Sequence, residues 1–132
     1  MTDKEYKEQK ARTEKFIKKW FDAMGLGWWQ VDISFSRHLD EDLPDALAVT
    51  RCLWAYRKAA VDFYLPNVQS VDDEKLESNI VHEFVHILMW PLWDQVEEKD
   101  ERARQINEYT TESVKNALLW VEQHAKKEKS PK

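Results

Sequence analysis

Apolar residues fall into different rhythms along this 132-residue chain, and each rhythm predicts a different element. Through 4–24, Phe16, Ile17, Trp20 and Phe21 recur at the spacing of one helix face among lysines and glutamates, and Gly25 and Gly27 close the run. Through 28–35 the period drops to two: Trp29, Val31, Ile33 and Phe35 alternate with Gln30, Asp32 and Ser34, the signature of a half-buried strand. A polar turn at 40–45 follows, and 46–56 and 59–65 then read as a pair of strands, closed by Pro66 and Asn67. The helical period returns with Leu76, Ile80, Phe84, Val85, Ile87 and Leu88. This predicts a helix over 73–90 that opens on the capping box Ser70-Val71-Asp72-Asp73 and stops where Pro91 disfavours continuation past Trp90. A last helix is predicted over 98–126.

Composition narrows the class. The length suits one domain over 1–126 with a charged tail at 127–132, and a 42% hydrophobic content with seven tryptophans argues for a folded core despite 34% charged residues. Trp20, Trp29, Trp54 and Trp120 are assigned to that core, whereas Trp90 and Trp93 flank a helix end where they can line a cleft. A net charge of −5 provides no basic field for nucleic acid. The two glycines form no phosphate-cradling loop, which removes the nucleotide-hydrolase class. Cys52 stands alone in an apolar stretch, so no internal disulfide is expected, and it is not read as a nucleophile. The first residues lack the apolar segment of a secretory signal and no run of 18 apolar residues occurs, so a soluble, cytoplasmic chain with no membrane partner is expected.

The candidate chemistry lies at 82–86, His82-Glu83-Phe84-Val85-His86, an H-E-x-x-H pattern in the middle of a predicted helix. Four residues make slightly more than one helical turn, so both imidazoles emerge on one side and can reach a single Zn²⁺ about 2.0–2.1 Å from each ring nitrogen. Glu83 then lies beside the metal, placed to take a proton from a bound water. His38 and His124 lie in a turn and near the end of the chain and are read as solvated. A catalytic zinc needs a third protein ligand. Asn107-Glu108-Tyr109-Thr110-Thr111-Glu112, on the following helix, offers two carboxylates. They sit about 40° apart on a helical wheel, so helical geometry leaves both open. Glu101 shares that face but belongs to the charged run 97–104 and is read as solvated.

These motifs resemble the zinc peptidases of the gluzincin class, thermolysin among them. That class places a glutamate ligand about twenty residues past the second histidine, often in an Asn-Glu-x-x-x-acid pattern whose second acid bonds a ligand histidine. The resemblance makes Glu108 the ligand and Glu112 its supporting acid. The chain is also similar to very small H-E-x-x-H proteins encoded by phages and prophages. The carrying segments are Tyr56-Arg57-Lys58-Ala59, Pro91-Leu92 and Glu112-Ser113-Val114. That alignment makes Glu112 the ligand instead; the Asn-Glu match favours Glu108.

The resemblance implies an α+β, minimal zincin-like fold: an N-terminal helix, a small three-stranded antiparallel sheet, the motif helix and a ligand helix. It also implies an edge strand bordering the cleft, with 59–65 the candidate, that holds a peptide by strand addition. The function it implies is zinc-dependent hydrolysis of a peptide or protein substrate with Glu83 as general base. Tyr109 and Arg57 are the candidates for the oxyanion donor by residue type. The alternative is a zinc-binding adaptor or regulatory protein without turnover.

Overall fold

The computed structural model describes residues 1–95 and 100–129. The first helix, α1 (Asp3–Ala23), opens on a capping box in which Thr2 Oγ1 accepts the Glu5 N–H at 3.0 Å and Glu5 Oε1 accepts the Thr2 N–H at 2.9 Å. Gly25, at φ 68°, supplies the left-handed residue that turns the chain just past the helix end. Trp20 is buried on the inner face and donates its indole N–H to Glu77 at 2.9 Å, while Phe16, Ile17 and Phe21 pack against the core.

Three strands follow, β1 (Gln30–Ser36), β2 (Ala48–Leu53) and β3 (Lys58–Tyr64), in the order β1-β3-β2. The sheet is mixed, not wholly antiparallel as expected: β2 pairs antiparallel to β3, whereas β1 runs parallel to β3 from Gln30↔Lys58 to Ser36↔Tyr64. The short connection through Trp54–Tyr56 and left-handed Arg57 makes β2 and β3 antiparallel neighbours. The segment 37–47 is long enough to pass the end of β3, which leaves β1 on the far side. The expected edge strand at 59–65 is therefore the centre of the sheet. Its inward residues explain the preference: Ala59, Val61 and Phe63 are 5%, 0% and 0% exposed, and a middle strand buries such a face best. The free edges belong to β1 and β2.

Other boundaries also shift. Pro66 does not close the strand pair; it sits in the first turn of a short helix, α2 (Leu65–Gln69), where a missing N–H costs little. Ser70 caps the end of that helix, donating to Asn67 O, and Asp72 takes over as N-cap of the motif helix, accepting the Lys75 N–H at 2.8 Å. That helix, α3 (Asp73–Trp93), runs through Pro91 and not to 90. A proline so close to the end forfeits one bond of the final turn, and Asp94 N–H on Trp90 O at 2.8 Å closes the helix. The last helix, α4 (Glu101–Lys129), stays helical past 126. The protein is thus α+β, with helices against one face of a three-stranded sheet.

The core forms between that face and α3, where Leu76, Ile80, Phe84 and Ile87 have no exposed surface. Burial of each such side chain stabilises the fold by roughly 1.5–3 kcal/mol, so the motif helix is anchored by its own apolar face. Lys19 ties three helices together, lying 2.7 Å from Glu77 and 2.9 Å from Glu122. Two tryptophans expected in the core lie outside it: Trp54 is 38% exposed with its indole N–H on Asp94, and Trp120 is 59% exposed and stacks on His124. Single tryptophans tolerate such positions because their flat rings find local partners. Among the described residues, no helix is long and apolar enough to cross a membrane.

Candidate metal centre

His82 and His86 stand one turn apart on α3, with side chains 15% and 12% exposed. Their rings are nearly perpendicular, at 86°, and their Nε2 atoms lie 3.0 Å apart, so both lone-pair positions point into one space. From α4, Glu108 closes that space: one carboxylate oxygen is 3.5 Å from His82 Nε2 and the other 3.2 Å from His86 Nε2. The three side chains offer ligand atoms that all lie within 4.8 Å of one another. Two imidazole nitrogens and one carboxylate so placed are a donor set that could hold a metal ion.

Glu112 takes a different place. It sits behind His82, its Oε1 2.6 Å from Nδ1, close enough for electrostatic support although the approach is off the line of a well-formed N–H···O bond. Its other oxygen lies 2.6 Å from the ammonium of Lys115, whose side chain is 11% exposed. One helical turn along α4 thus separates a carboxylate facing both Nε2 atoms from one facing only the back of one ring.

Charge is distributed accordingly. Burial, aided by the charge of His86, holds the His82 pKa below its usual value, against the pull of Glu108 and Glu112. Burial also opposes charging of His86, but the Glu108 bond and the Glu83 and Glu108 charges outweigh it and raise that pKa. The bond from His86 correspondingly lowers the pKa of Glu108.

Glu83 is buried on the same helix, 7% exposed, and accepts a 2.5 Å hydrogen bond from the Thr50 hydroxyl of β2. Burial pushes its pKa up to about 7, with the Thr50 bond opposing the rise. It opens on a cleft of about 260 Å³ lined by Leu43, Ala48, Val49, Thr50, His86, Trp90, Trp93 and Glu108. Trp90 and Trp93 thus line the cleft as the sequence allows, and Arg104 stacks over the Trp93 ring at 5.1 Å. A larger hollow along α1 and β1, about 540 Å³, contains none of the predicted site residues.

Neither candidate oxyanion donor lines the cleft. Arg57 lies at the turn before β3, stacked 4.1 Å from the Trp28 ring, and Tyr109 is 75% exposed on α4. His38 and Glu101 are exposed. Cys52 is half-buried on β2, and burial raises its thiol pKa to about 11, in keeping with an inert side chain. Thr50 and Lys115 were not legible as site residues from sequence: neither belongs to a local motif, and each acquires its role only when its strand or helix face packs against α3. No family model matches the chain, no curated protein matches it, and no solved structure matches it.

Proposed function

We propose that this chain is a zinc-dependent peptidase with a minimal, gluzincin-like site on a zincin-like α+β scaffold, similar to the small phage-encoded H-E-x-x-H proteins. The observation that carries this reading is the convergence of His82 Nε2, His86 Nε2 and the Glu108 carboxylate, with Glu83 opening on the same cleft. His82, His86 and Glu108 would hold the ion; when bound, zinc supplies a Lewis acid that lowers the pKa of water to about 7 and polarises a carbonyl. Glu83 accepts a proton from the attacking water and returns it to the leaving amine, a task suited to a carboxyl buried beside the cleft. Thr50 holds Glu83 in place from the strand side. Trp90, Trp93 and Leu43 wall the cleft and limit the access of bulk water. The free edge of β2, not of β3, borders the cleft and can pair with the main chain of an extended peptide.

The test is cleavage of a mixed peptide library by zinc-reconstituted protein, read by mass spectrometry. Cleavage that disappears in Glu83→Gln at full zinc occupancy supports the reading; wild-type protein that takes up no zinc sinks it. A second reading, a zinc-binding adaptor of a phage or other mobile element, is favoured by one observation: Tyr109 and Arg57 both stand away from the cleft. Zinc-loaded protein that cleaves nothing and retains its biological effect as Glu83→Gln would select it.

A further inference from the structure

Lys115 is among the least expected side chains in the protein, a lysine 9% exposed beside the proposed metal site. Lysines are almost never fully buried without a partner. Its ammonium lies 2.6 Å from Glu112 Oε2, and the opposite oxygen of that carboxylate lies 2.6 Å from His82 Nδ1. One oxygen of Glu112 is therefore bonded and the other lies against Nδ1 without a well-formed hydrogen bond, and the side chain remains 46% exposed. A pocket of about 80 Å³, bordered by Asn79, His82, Glu112 and Lys115, opens behind the ring. An unanchored Glu112 could turn into that space or into solvent, giving up its position against Nδ1.

We infer that Lys115 is a positioning residue for the metal centre: by holding one oxygen of Glu112 it aims the other at His82 Nδ1, which selects the tautomer whose Nε2 lone pair faces His86 and Glu108. The inference deepens the zinc reading and rests on it. The imidazole of a metal-bound histidine is oriented by the partner of its other nitrogen, and the loss of such a partner typically weakens metal binding about 10–100-fold. Here the partner is itself held by a second residue, one turn further along α4. A plain i,i+3 ion pair on an exposed helix would do no more than add a few tenths of a kcal/mol to helix stability.

Charge alone predicts the opposite sign, because deleting a cation beside a divalent-ion site favours the ion. Weakened binding is thus a readout that loss of charge cannot imitate. The experiment is a zinc-competition titration of the full chain against a chromophoric chelator for wild type, Lys115→Met, Lys115→Arg, Glu112→Gln and the Lys115→Met/Glu112→Gln double variant. Lys115→Met should bind zinc about 10-fold or more weakly, Lys115→Arg should recover part of the loss, and in the Glu112→Gln background Lys115→Met should change affinity by no more than about twofold. Equal or tighter binding by Lys115→Met overturns the inference, as does a full further loss in the double variant. Long-range ¹⁵N spectra of the metal-free protein give a second readout: His82 should be Nδ1-protonated in wild type and mixed in Lys115→Met. A wild type that takes up no zinc sinks the metal reading itself, while the tautomer comparison still decides whether Lys115 positions the ring. An unchanged tautomer in folded Lys115→Met overturns the inference.

Discussion

Thr50 Oγ1 donates a 2.5 Å hydrogen bond to Glu83 Oε2 across thirty-three positions of sequence, joining the free-edge strand of the sheet to the middle of the motif helix. The bond gives a buried carboxylate its donor and turns it toward the cleft that both residues line. Burial and this bond act in opposite directions on Glu83, and burial wins.

Metal-free Glu83→Gln should become more stable relative to wild type as pH rises. The folded-state pKa of about 7 stands above the ordinary 4.5, so the protonated carboxyl favours the fold fully below pH 4.5. That contribution is lost as pH climbs through 7 and the carboxylate must ionise in a dry site. The amide has no such penalty. Urea unfolding with chelator present should show the variant gaining about 2–4 kcal/mol on wild type between pH 4.5 and 8. A pH-independent difference would mean that Glu83 is solvated in the folded protein.

Thr50→Val keeps the shape and removes the donor. At pH 8 it should cost about 1–3 kcal/mol, the penalty of leaving a buried acceptor unpaired, and below pH 4.5 the cost should shrink. Because the hydroxyl lowers the Glu83 pKa, the apparent pKa of that group should rise further in the variant. Denaturant melts across pH and carbon-13 carboxyl titration read both effects.

Zinc affinity should separate the two carboxylates of α4. Glu108→Ala should abolish tight binding, since Glu108 faces both Nε2 atoms, whereas Glu112→Ala should cost about 10–100-fold. His82→Ala and His86→Ala should each remove stoichiometric zinc. The raised pKa of His86 places the onset of proton competition above pH 6.5, so affinity should start to fall before that pH is reached from above. The reverse ranking of Glu108 and Glu112 in a competition titration would move the third ligand to Glu112.

Cys52 should resist alkylation. A thiol with a pKa near 11 is almost wholly protonated at pH 8, and only the thiolate attacks iodoacetamide. Native protein should react at least about tenfold more slowly than protein unfolded in urea at the same pH, as followed by mass. Equal rates would place the side chain in solvent.

How much of this was legible beforehand follows the range of the forces involved. The pairing of His82 with His86, the burial of Phe84 and Ile87, the period of β1 and the capped start of α1 depend on contacts within one or two turns, and helix and strand periodicity transmits those directly from residue order. The sheet is different. Whether β1 joins β3 in parallel, and so which strand is central, depends on how the sheet buries the Ala59, Val61 and Phe63 face of β3, a matter of packing among segments far apart in the chain. Wheel geometry left Glu108 and Glu112 equivalent, because their faces differ by only about 40°; the packing of α4 on α3 set one before the Nε2 atoms and the other behind the ring. Trp54 and Trp120 looked like core by residue type, yet type alone carries no record of which face an element turns outward. Residue order by itself therefore determined a helix that carries His82 and His86 one turn apart with Glu83 beside them. Only the tertiary structure decided which carboxylate faces both Nε2 atoms, that Thr50 bonds Glu83 and that Lys115 pairs with the carboxylate behind His82, because each of these depends on packing that no local pattern encodes.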